Sequence, residues 1–263
     1  MDISTKQFAF LNNSQIYEDN RTTQEGIHSL KIHKMKGMIF KIYLSKDFDR
    51  TSWLYLRMLL TQLGFPQDFI MWVMFCISSV SYNILINGST SNFFHAECGL
   101  RQGCPLSPLL FLLVMEGLSR LITDENFRGK IKDIKIEENV ILSHLLFMDD
   151  VLIFLNGSLS DSTSFNIILS LFYKATGMVI NHKKYSMTTL MCLQYEIDYA
   201  NLRFPFRNLA FDDGLKYLGF RLKHNTYKII DWSWLVAKIE NRINIWNHRP
   251  SFSFLLSRWL SSS

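Results

Sequence analysis

Apolar positions along the chain recur with two different spacings. In residues 49–63, Trp53, Leu54, Leu56, Leu59, Leu60 and Leu63 fall at helical spacing behind Asp49, which reads as an N-cap. Gly64-Phe65-Pro66 stops that helix, and a second is expected over residues 67–76. Ser107-Pro108 reads as a cap followed by a first-turn proline, opening a largely apolar helix to about residue 122. Residues 162–175 read as helical, and residues 232–246 form an amphipathic helical pattern. Other stretches read as strands. "YNILINGSTSNFF" (82–94) predicts a hairpin, with Asn87-Gly88 favouring a type I′ turn. "MVIN" (178–181) predicts a short strand, and "LKYLGFRL" (215–222) a strand pair or turn region. Residues 141–155 set apolar runs on both sides of Asp149 and Asp150, so a further hairpin turns at two adjacent carboxylates. Helices mixed with antiparallel hairpins, without internal repeats or low-complexity linkers, define the fold class as α+β.

Composition narrows this picture modestly. A chain of 263 residues with 48% hydrophobic content can bury a substantial core, as one domain with sub-regions or as two small domains. The net charge of +5 leans basic. Lys31, Lys34, Lys36 and Lys41 crowd one early segment, consistent with a nucleic-acid face or with a solvated helix end. Cys76, Cys98, Cys104 and Cys192 form no CxxC pair and no zinc-ligand spacing with the histidines. With no signal peptide, they read as free thiols in a reducing compartment, so the expected location is intracellular, in nucleus or cytoplasm. The four Asn-x-Ser/Thr matches then carry no meaning. Residues 69–86 lack charge over 18 positions, but serines, Tyr82 and Asn83 interrupt them, so a buried helix leading into a strand is expected rather than a membrane span.

The Asp149-Asp150 pair needs a compensating interaction, because adjacent anions repel and resist desolvation. A hard divalent cation would provide one, and two such ions can support nucleotidyl transfer. An Asp-Asp turn can equally serve turn geometry alone.

Several ordered motifs decide between these readings. "FKIYLSKDFDR" (40–50), "GLRQGCPLSPLLFLLVMEGLSRLI" (99–122), "SHLLFMDDVLIF" (143–154), "ATGMVINHKKYS" (175–186) and "LKYLGF" (215–220) resemble the reverse transcriptase domain of plant LINE-type non-LTR retrotransposons. With "ISTKQFAF" (3–10), Gln15-Ile16 and "EGIHSLK" (25–31), the resemblance spans residues 3–249. It implies a right-hand polymerase fold within one reverse transcriptase domain over residues 1–263. Fingers would occupy 1–39 and 65–98, palm 40–64 and 99–195, a connection with a primer-grip-like hairpin 196–230, and a partial thumb 231–263. The implied activity is RNA-directed DNA polymerisation on an RNA template with a DNA primer and dNTPs, using Mg²⁺ or Mn²⁺. The resemblance makes Asp149 and Asp150 the catalytic, metal-binding carboxylates, with Met148 at a position where the family usually has alanine. It places Phe48, Gln102, Gly103 and Lys184 around the nucleotide, Phe48 as the ring that excludes a 2′-hydroxyl. Tyr217, Leu218 and Gly219 would form the primer grip. On the residues alone, Phe48 is as readily a core phenylalanine, Gln102-Gly103 a turn before a helix, Lys184 a solvated strand end and Tyr217–Gly219 ordinary hairpin packing.

The chain also departs from the family. The third metal-binding carboxylate is expected at position 43, where this chain has tyrosine. A phenol is neutral at pH 7 and a poor ligand for Mg²⁺. Asp47 lies four residues on, about 13 Å along an extended chain, too far to substitute. Asp47 itself replaces a family alanine near the triphosphate, which it would repel, and Asn13-Ser14 replaces a Gly-Arg pair of the fingers. Relative to the family, the sequence begins inside the fingers with no endonuclease region ahead of it, and residues 251–263 do not align to the thumb. The expectation is a catalytically impaired polymerase domain; the alternatives are a non-catalytic nucleic-acid-binding remnant or a translated relic without function.

Overall fold

The computed structural model describes residues 6–7, 16–45, 47–137, 140–180, 185–204, 206–223 and 227–247. The chain forms two units, Met1–His224 and Asn225–Ser263. The first contains, in order, α1 (Ile16–Ile32), β1 (Gly37–Ser45), α2 (Asp47–Arg50), α3 (Trp53–Gln62), α4 (Gln67–Ser78), β2 (Ser81–Tyr82), β3 (Leu85–Ile86), β4 (Ser89–Thr90) and β5 (Phe94–His95). It continues with α5 (Leu106–Phe127), β6 (Ile134–Glu137), β7 (Val140–Leu142), β8 (His144–Phe147), β9 (Asp150–Leu155), α6 (Leu159–Thr176), β10 (Val179–Ile180) and β11 (Ser186–Leu190). Helix α7 (Gln194–Arg203), β12 (Arg207–Leu209), β13 (Leu215–Tyr217) and β14 (Phe220–Leu222) complete it. The second unit carries a single turn of 3₁₀-helix, Ile229–Trp232, and α8 (Ser233–Asn247), with Tyr227 packed on Trp232 at 5.5 Å between ring centres.

The central sheet runs β12-β11-β1-β9-β8, with β10 also paired to β1. Its pairs are antiparallel except β11 with β12. Strand periodicity divides β1 and β9 between two apolar layers. Met38, Phe40, Ile42 and Leu44, with Val151, Ile153 and Leu155, face the larger cluster built with α3, α5 and α6. Ile39, Leu152 and Phe154 face a smaller cluster with Ile27 and Leu30 of α1 and Leu215, Tyr217 and Leu222 of the β13–β14 hairpin. Both central strands are thus covered on both faces, which accounts for their nearly continuous apolar runs. Phe40 sits 5.0–5.6 Å from the rings of Phe165, Phe204 and Phe206, an aromatic knot beneath the sheet.

Three helices differ from their sequence-based limits. Residues 49–63 split into α2 and α3, and Ser52, not Asp49, caps α3 by accepting from the Tyr55 N–H at 3.3 Å. The break serves docking: Thr51 O accepts from Gly99 N and Ser52 N donates to Thr176 O, both at 2.8 Å. Helix α5 starts a residue before Ser107, which is buried in its first turn rather than capping it, and runs to Phe127. A helix requires only one buried stripe, so polar Thr123–Glu125 prolong α5 until Gly129 adopts a left-handed φ of 72°. Helix α6 begins earlier than residue 162, because Ser158 caps it by accepting from the Asp161 N–H. The 82–94 hairpin forms as expected, with φ of 49° at Asn87 and 86° at Gly88 as a type I′ turn requires. By length and composition α5 could cross a membrane, but eleven of its residues are buried within the protein, as in a core helix.

Candidate active site

The two carboxylates lie where the β8–β9 hairpin reverses. Phe147 pairs with Asp150, leaving Met148-Asp149 as a two-residue turn in which Met148 holds a positive φ of 56°. That conformation is strained for a residue with a Cβ and is held by surrounding structure. The tie here is the Leu44 N–H, which donates to the Asp149 carbonyl at 3.1 Å and fixes the turn against β1. In the adjoining ladder Tyr43 is the direct partner of Asp150. Position 43, where the resemblance leads one to expect a third carboxylate, therefore lies beside the carboxylate turn.

Lys41, Tyr43 and Asp150 share the sheet face that carries Ile39, Leu152 and Phe154. Covering that face, the fully buried Tyr217 hydroxyl donates to Asp19 Oδ2 of α1 at 2.7 Å. Lys41 Nζ donates to the Lys216 carbonyl at 2.8 Å, stands 3.6 Å from Asp150 Oδ1, and lies 5.7 Å from the Tyr217 ring centre. Asp19 is completely buried and its Oδ1 has no hydrogen-bond partner. Burial pushes its carboxyl up to about 6; the Tyr217 hydroxyl opposes the rise and the Asp150 charge adds to it. The Tyr217 phenol is raised well above its ordinary value, first by burial and then by Asp19. Among the described residues no group of three or more His, Cys, Asp or Glu side chains converges as a metal site. The turn supplies two carboxylates, one of them beside an ammonium, and this set does not fit the complete two-metal centre implied by the sequence.

The expected nucleotide side is built by α2 and the arm leading into α5. Phe48 is half-buried and stacks on Phe111, with ring centres 4.9 Å apart and planes inclined by 20°. The Phe48 carbonyl accepts from Leu100 N, and the Trp53 indole N–H donates to Gly99 O at 2.7 Å. Gly99 is needed at this crossing: its φ is 90°, and a Cβ would lie 2.6 Å from Asp49 O. Exposed Gln102 donates through Nε2 to Asp49 Oδ1 at 3.3 Å, and Gly103 has a φ of 82°. A cavity of about 530 Å³ lies alongside, its wall including Asp49, Tyr82, Phe94, Gly99 and Arg101. Lys184 and the Asn13-Ser14 pair lie outside the described residues, as does the Asp47 side chain. Tyr217, Leu218 and Gly219 do form a tight hairpin, with positive φ at Leu218 and Gly219, but Tyr217 points into the protein rather than outward. Sequence reasoning met Lys41 only as one of a basic cluster and as a letter of the 40–50 motif, with no role beside the carboxylates, and did not consider Asp19, because the contacts of both are made with residues far along the chain.

Residues 1–222 match the family model described as "Reverse transcriptase (RNA-dependent DNA polymerase)". The chain belongs to the reverse transcriptase family. It is 26% identical over 161 residues to the retrovirus-related Pol polyprotein from type-1 retrotransposable element R2 of Popillia japonica, a stretch covering 60% of this chain and 25% of that protein. The chain thus spans a quarter of that relative's length, and the resemblance to non-LTR retrotransposon enzymes holds on this independent ground. Among solved structures, apo telomerase from Candida tropicalis, truncated from its C-terminal domain, superposes with a TM-score of 0.56 at 12% identity, over 85% of this chain and 40% of that one. Telomerase from Candida albicans, in complex with a fragment of telomeric RNA, gives 0.53 at 13% identity, over 71% and 32% respectively. These likenesses place the α+β architecture in the right-hand polymerase fold. Reverse transcriptases as a family use divalent metal ions, and membership implies an RNA template.

Proposed function

We propose that this chain is the polymerase core of a non-LTR retrotransposon reverse transcriptase whose catalysis is impaired by Tyr43. The observation that carries the reading is the pairing of Tyr43 with Asp150, which sets a phenol where the family's third carboxylate belongs. Asp149 and Asp150 are the remaining catalytic carboxylates, and Mg²⁺ or Mn²⁺ is the cofactor of any residual activity. Phe48, braced by Phe111, Gln102, Gly103 and Lys184 serve the incoming dNTP. Tyr217, Leu218 and Gly219 form the primer-grip hairpin, in which Tyr217 anchors the turn by its bond to Asp19 and Leu218-Gly219 present it. The sub-regions are fingers over 1–39 and 65–98, palm over 40–64 and 99–195, connection over 196–230 and partial thumb over 231–263. The template is RNA, the primer DNA, and the site of action nucleus or cytoplasm. Electrostatic clamping of developing charge supplies most of the rate in such centres, so loss of one carboxylate lowers turnover by several orders of magnitude.

Primer extension on poly(rA)/oligo(dT) with Mg²⁺ or Mn²⁺ tests this reading, comparing the unaltered chain with Tyr43→Asp. Extension by Tyr43→Asp alone is expected. Extension by the unaltered chain overturns the proposed impairment. If neither extends the primer, salt-dependent binding of an RNA–DNA duplex identifies a non-catalytic nucleic-acid-binding remnant. Non-cooperative unfolding in turn identifies a relic without function.

A further inference from the structure

Helix α4 and the ribbon that follows it leave an apolar surface uncovered. Helix α4 buries Ile70, Val73 and Ile77 on one side. At helical spacing its opposite side carries half-exposed Met71 with Trp72 and Phe75, which are 68% and 72% exposed. The pairs β2–β5 and β3–β4 then form a narrow two-stranded ribbon, exposed in all four strands. Leu85 and Ile86 are neighbours in one strand and so belong to opposite faces, yet both are exposed, Leu85 by 69%. Phe93, next to β5, is 73% exposed. A strand that is apolar on both faces is ordinarily covered on both, as β1 and β9 are here. A two-stranded ribbon by itself is marginally stable at best. Helix and ribbon occupy one region of the surface: Ala96 N donates to Val80 O at 3.1 Å where α4 gives way to β2, and Ile77, Tyr82 and Phe94 wall the same cavity.

Size and charge narrow what covers this surface. A large aromatic side chain buries about 150–250 Å², so the exposed parts of Trp72, Phe75 and Phe93 offer roughly 300–500 Å². Met71, Leu85 and Ile86 enlarge the patch beyond what monomers commonly expose, to the order of the ~800 Å² that each partner gives a stable interface. The 26 residues from Phe69 to Phe94 include no Asp, Glu, Lys, Arg or His. A nucleic-acid surface sets Lys or Arg against phosphates, and a helix lying on a membrane carries them along its polar face. Helix α4 has neither residue. In a twofold interface the same patch meets itself, so a charge near the axis faces its own kind; a charge-free run meets no such repulsion. We propose that residues 69–94 form a twofold dimer interface, in which α4 and the ribbon of one copy cover those of a second copy of this chain. None of the six patch residues belongs to the carboxylate turn or to the residues assigned to nucleotide and primer, so the inference goes beyond the polymerase reading and does not depend on it.

Sedimentation equilibrium of the full chain over about 1–100 μM tests the interface. A single monomer–dimer equilibrium is expected, rising to twice the 30.9 kDa of one chain. Trp72→Glu and Leu85→Glu change exposed positions, where folding is little affected, and each sets like charges in both copies. Each is expected to weaken the dimer at least a hundredfold, whereas Leu202→Glu, at an exposed position of α7, is expected to leave it unchanged. Hydrogen–deuterium exchange of the unaltered chain needs no substitution, and exchange in residues 69–95 is expected to slow as concentration rises through the dimerisation range. A chain that stays monomeric throughout overturns the proposal, as does a dimer that Trp72→Glu and Leu85→Glu leave as strong as before. A ladder of larger species in place of one dimer, or exchange in residues 69–95 that ignores concentration, overturns it as well. A monomer whose binding to an RNA–DNA duplex is weakened by Trp72→Glu assigns the patch to nucleic acid instead.

Discussion

Two buried groups give opposite pH dependences to folding, and single substitutions separate them. His144, fully buried in β8, pairs through Nε2 with Ser119 Oγ at 2.8 Å and through Nδ1 with Ser143 Oγ at 2.9 Å. Lys6 Nζ donates to Ser143 Oγ. The Ser143 hydroxyl is then free to donate to Nδ1, which makes Nε2 the protonated nitrogen. Burial, with the Lys6 charge adding to it, lowers His144 from 6.5 to about 3. The unfolded chain therefore takes up a proton between those values that the folded chain refuses, and stability falls as pH drops from 6.5 toward 3. At about 1.4 kcal/mol per pH unit, the ceiling is about 5 kcal/mol. Asp19 has the contrary sign. Its folded value of about 6 lies above the ordinary 3.8, so the folded state holds the extra proton. Stability is lost as pH rises from 3.8 to 6, by about 3 kcal/mol.

Between pH 4 and 6 the two slopes nearly cancel, so the unaltered chain is expected to show little net pH dependence from this pair. Asp19→Asn keeps an acceptor for the Tyr217 hydroxyl but removes the titration. Its stability relative to the unaltered chain is expected to rise by about 3 kcal/mol from pH 4 to pH 7. Replacing His144 by Gln is expected to do the reverse, losing a similar amount relative to the unaltered chain over the same interval. Urea unfolding followed by fluorescence of the six tryptophans, at pH 4.5, 5.5, 6.5 and 7.5, measures both difference curves. A pH-independent difference between Asp19→Asn and the unaltered chain would refute the assignment of a perturbed carboxyl buried beneath Tyr217.

The remaining predictions address the core and the arm before α5. Phe40→Ala empties the centre of the Phe165, Phe204 and Phe206 knot, and a loss of about 3–5 kcal/mol in urea unfolding is expected. Gly99→Ala drives a Cβ against Asp49 O at a φ of 90°; a cost of about 1–3 kcal/mol and faster trypsin cleavage after exposed Arg101 are expected, the cleavage read on a time-course gel. Tyr43→Asp, measured by primer extension as above, should restore turnover without altering the β1–β9 ladder, since the pairing at that position is made by backbone atoms.

What the sequence conveys depends on whether a residue's role is local. The 82–94 hairpin, the reversal at Asp149-Asp150 and the 215–222 hairpin are each marked by turn residues flanked by apolar runs, and all three form. Helix α1 gives no such signal. Its inner side buries Asp19, Asn20, Thr23 and Ser29 beside Ile27 and Leu30, so polar residues occupy places where an amphipathic pattern requires apolar ones. Asp49 has the right residue type for a cap, but Ser52 takes that role because the chain must first dock Thr51 and Ser52 on Gly99 and Thr176. The Lys41 and Asp19 contacts join residues 175 and 198 positions apart, and no local pattern encodes a bond of that range.

The sheet also explains how a family fold can survive a change in its chemistry. Met38, Phe40, Ile42 and Leu44 hold β1 against the large core, whereas position 43 lies on the opposite face, with Ile39. A tyrosine there retains strand propensity and leaves every backbone bond of the ladder available. Tyr43 also removes a negative charge from beside Asp150, so the folded chain has one less repulsion to balance on a face where Lys41 already offsets another. On the proposed reading, folding and catalysis pull in opposite directions at this position. If the turn holds metal ions as proposed, an aspartate would favour them and strain the metal-free protein, while tyrosine removes that repulsion together with the ligand. Tyr43→Asp is accordingly expected to gain turnover while losing stability in the absence of divalent ions. Added Mn²⁺ should recover that stability in Tyr43→Asp far more than in the unaltered chain, as a ligand that binds only the folded state must. Equal Mn²⁺-induced shifts in the urea midpoints of the two chains would show that position 43 takes no part in holding a cation.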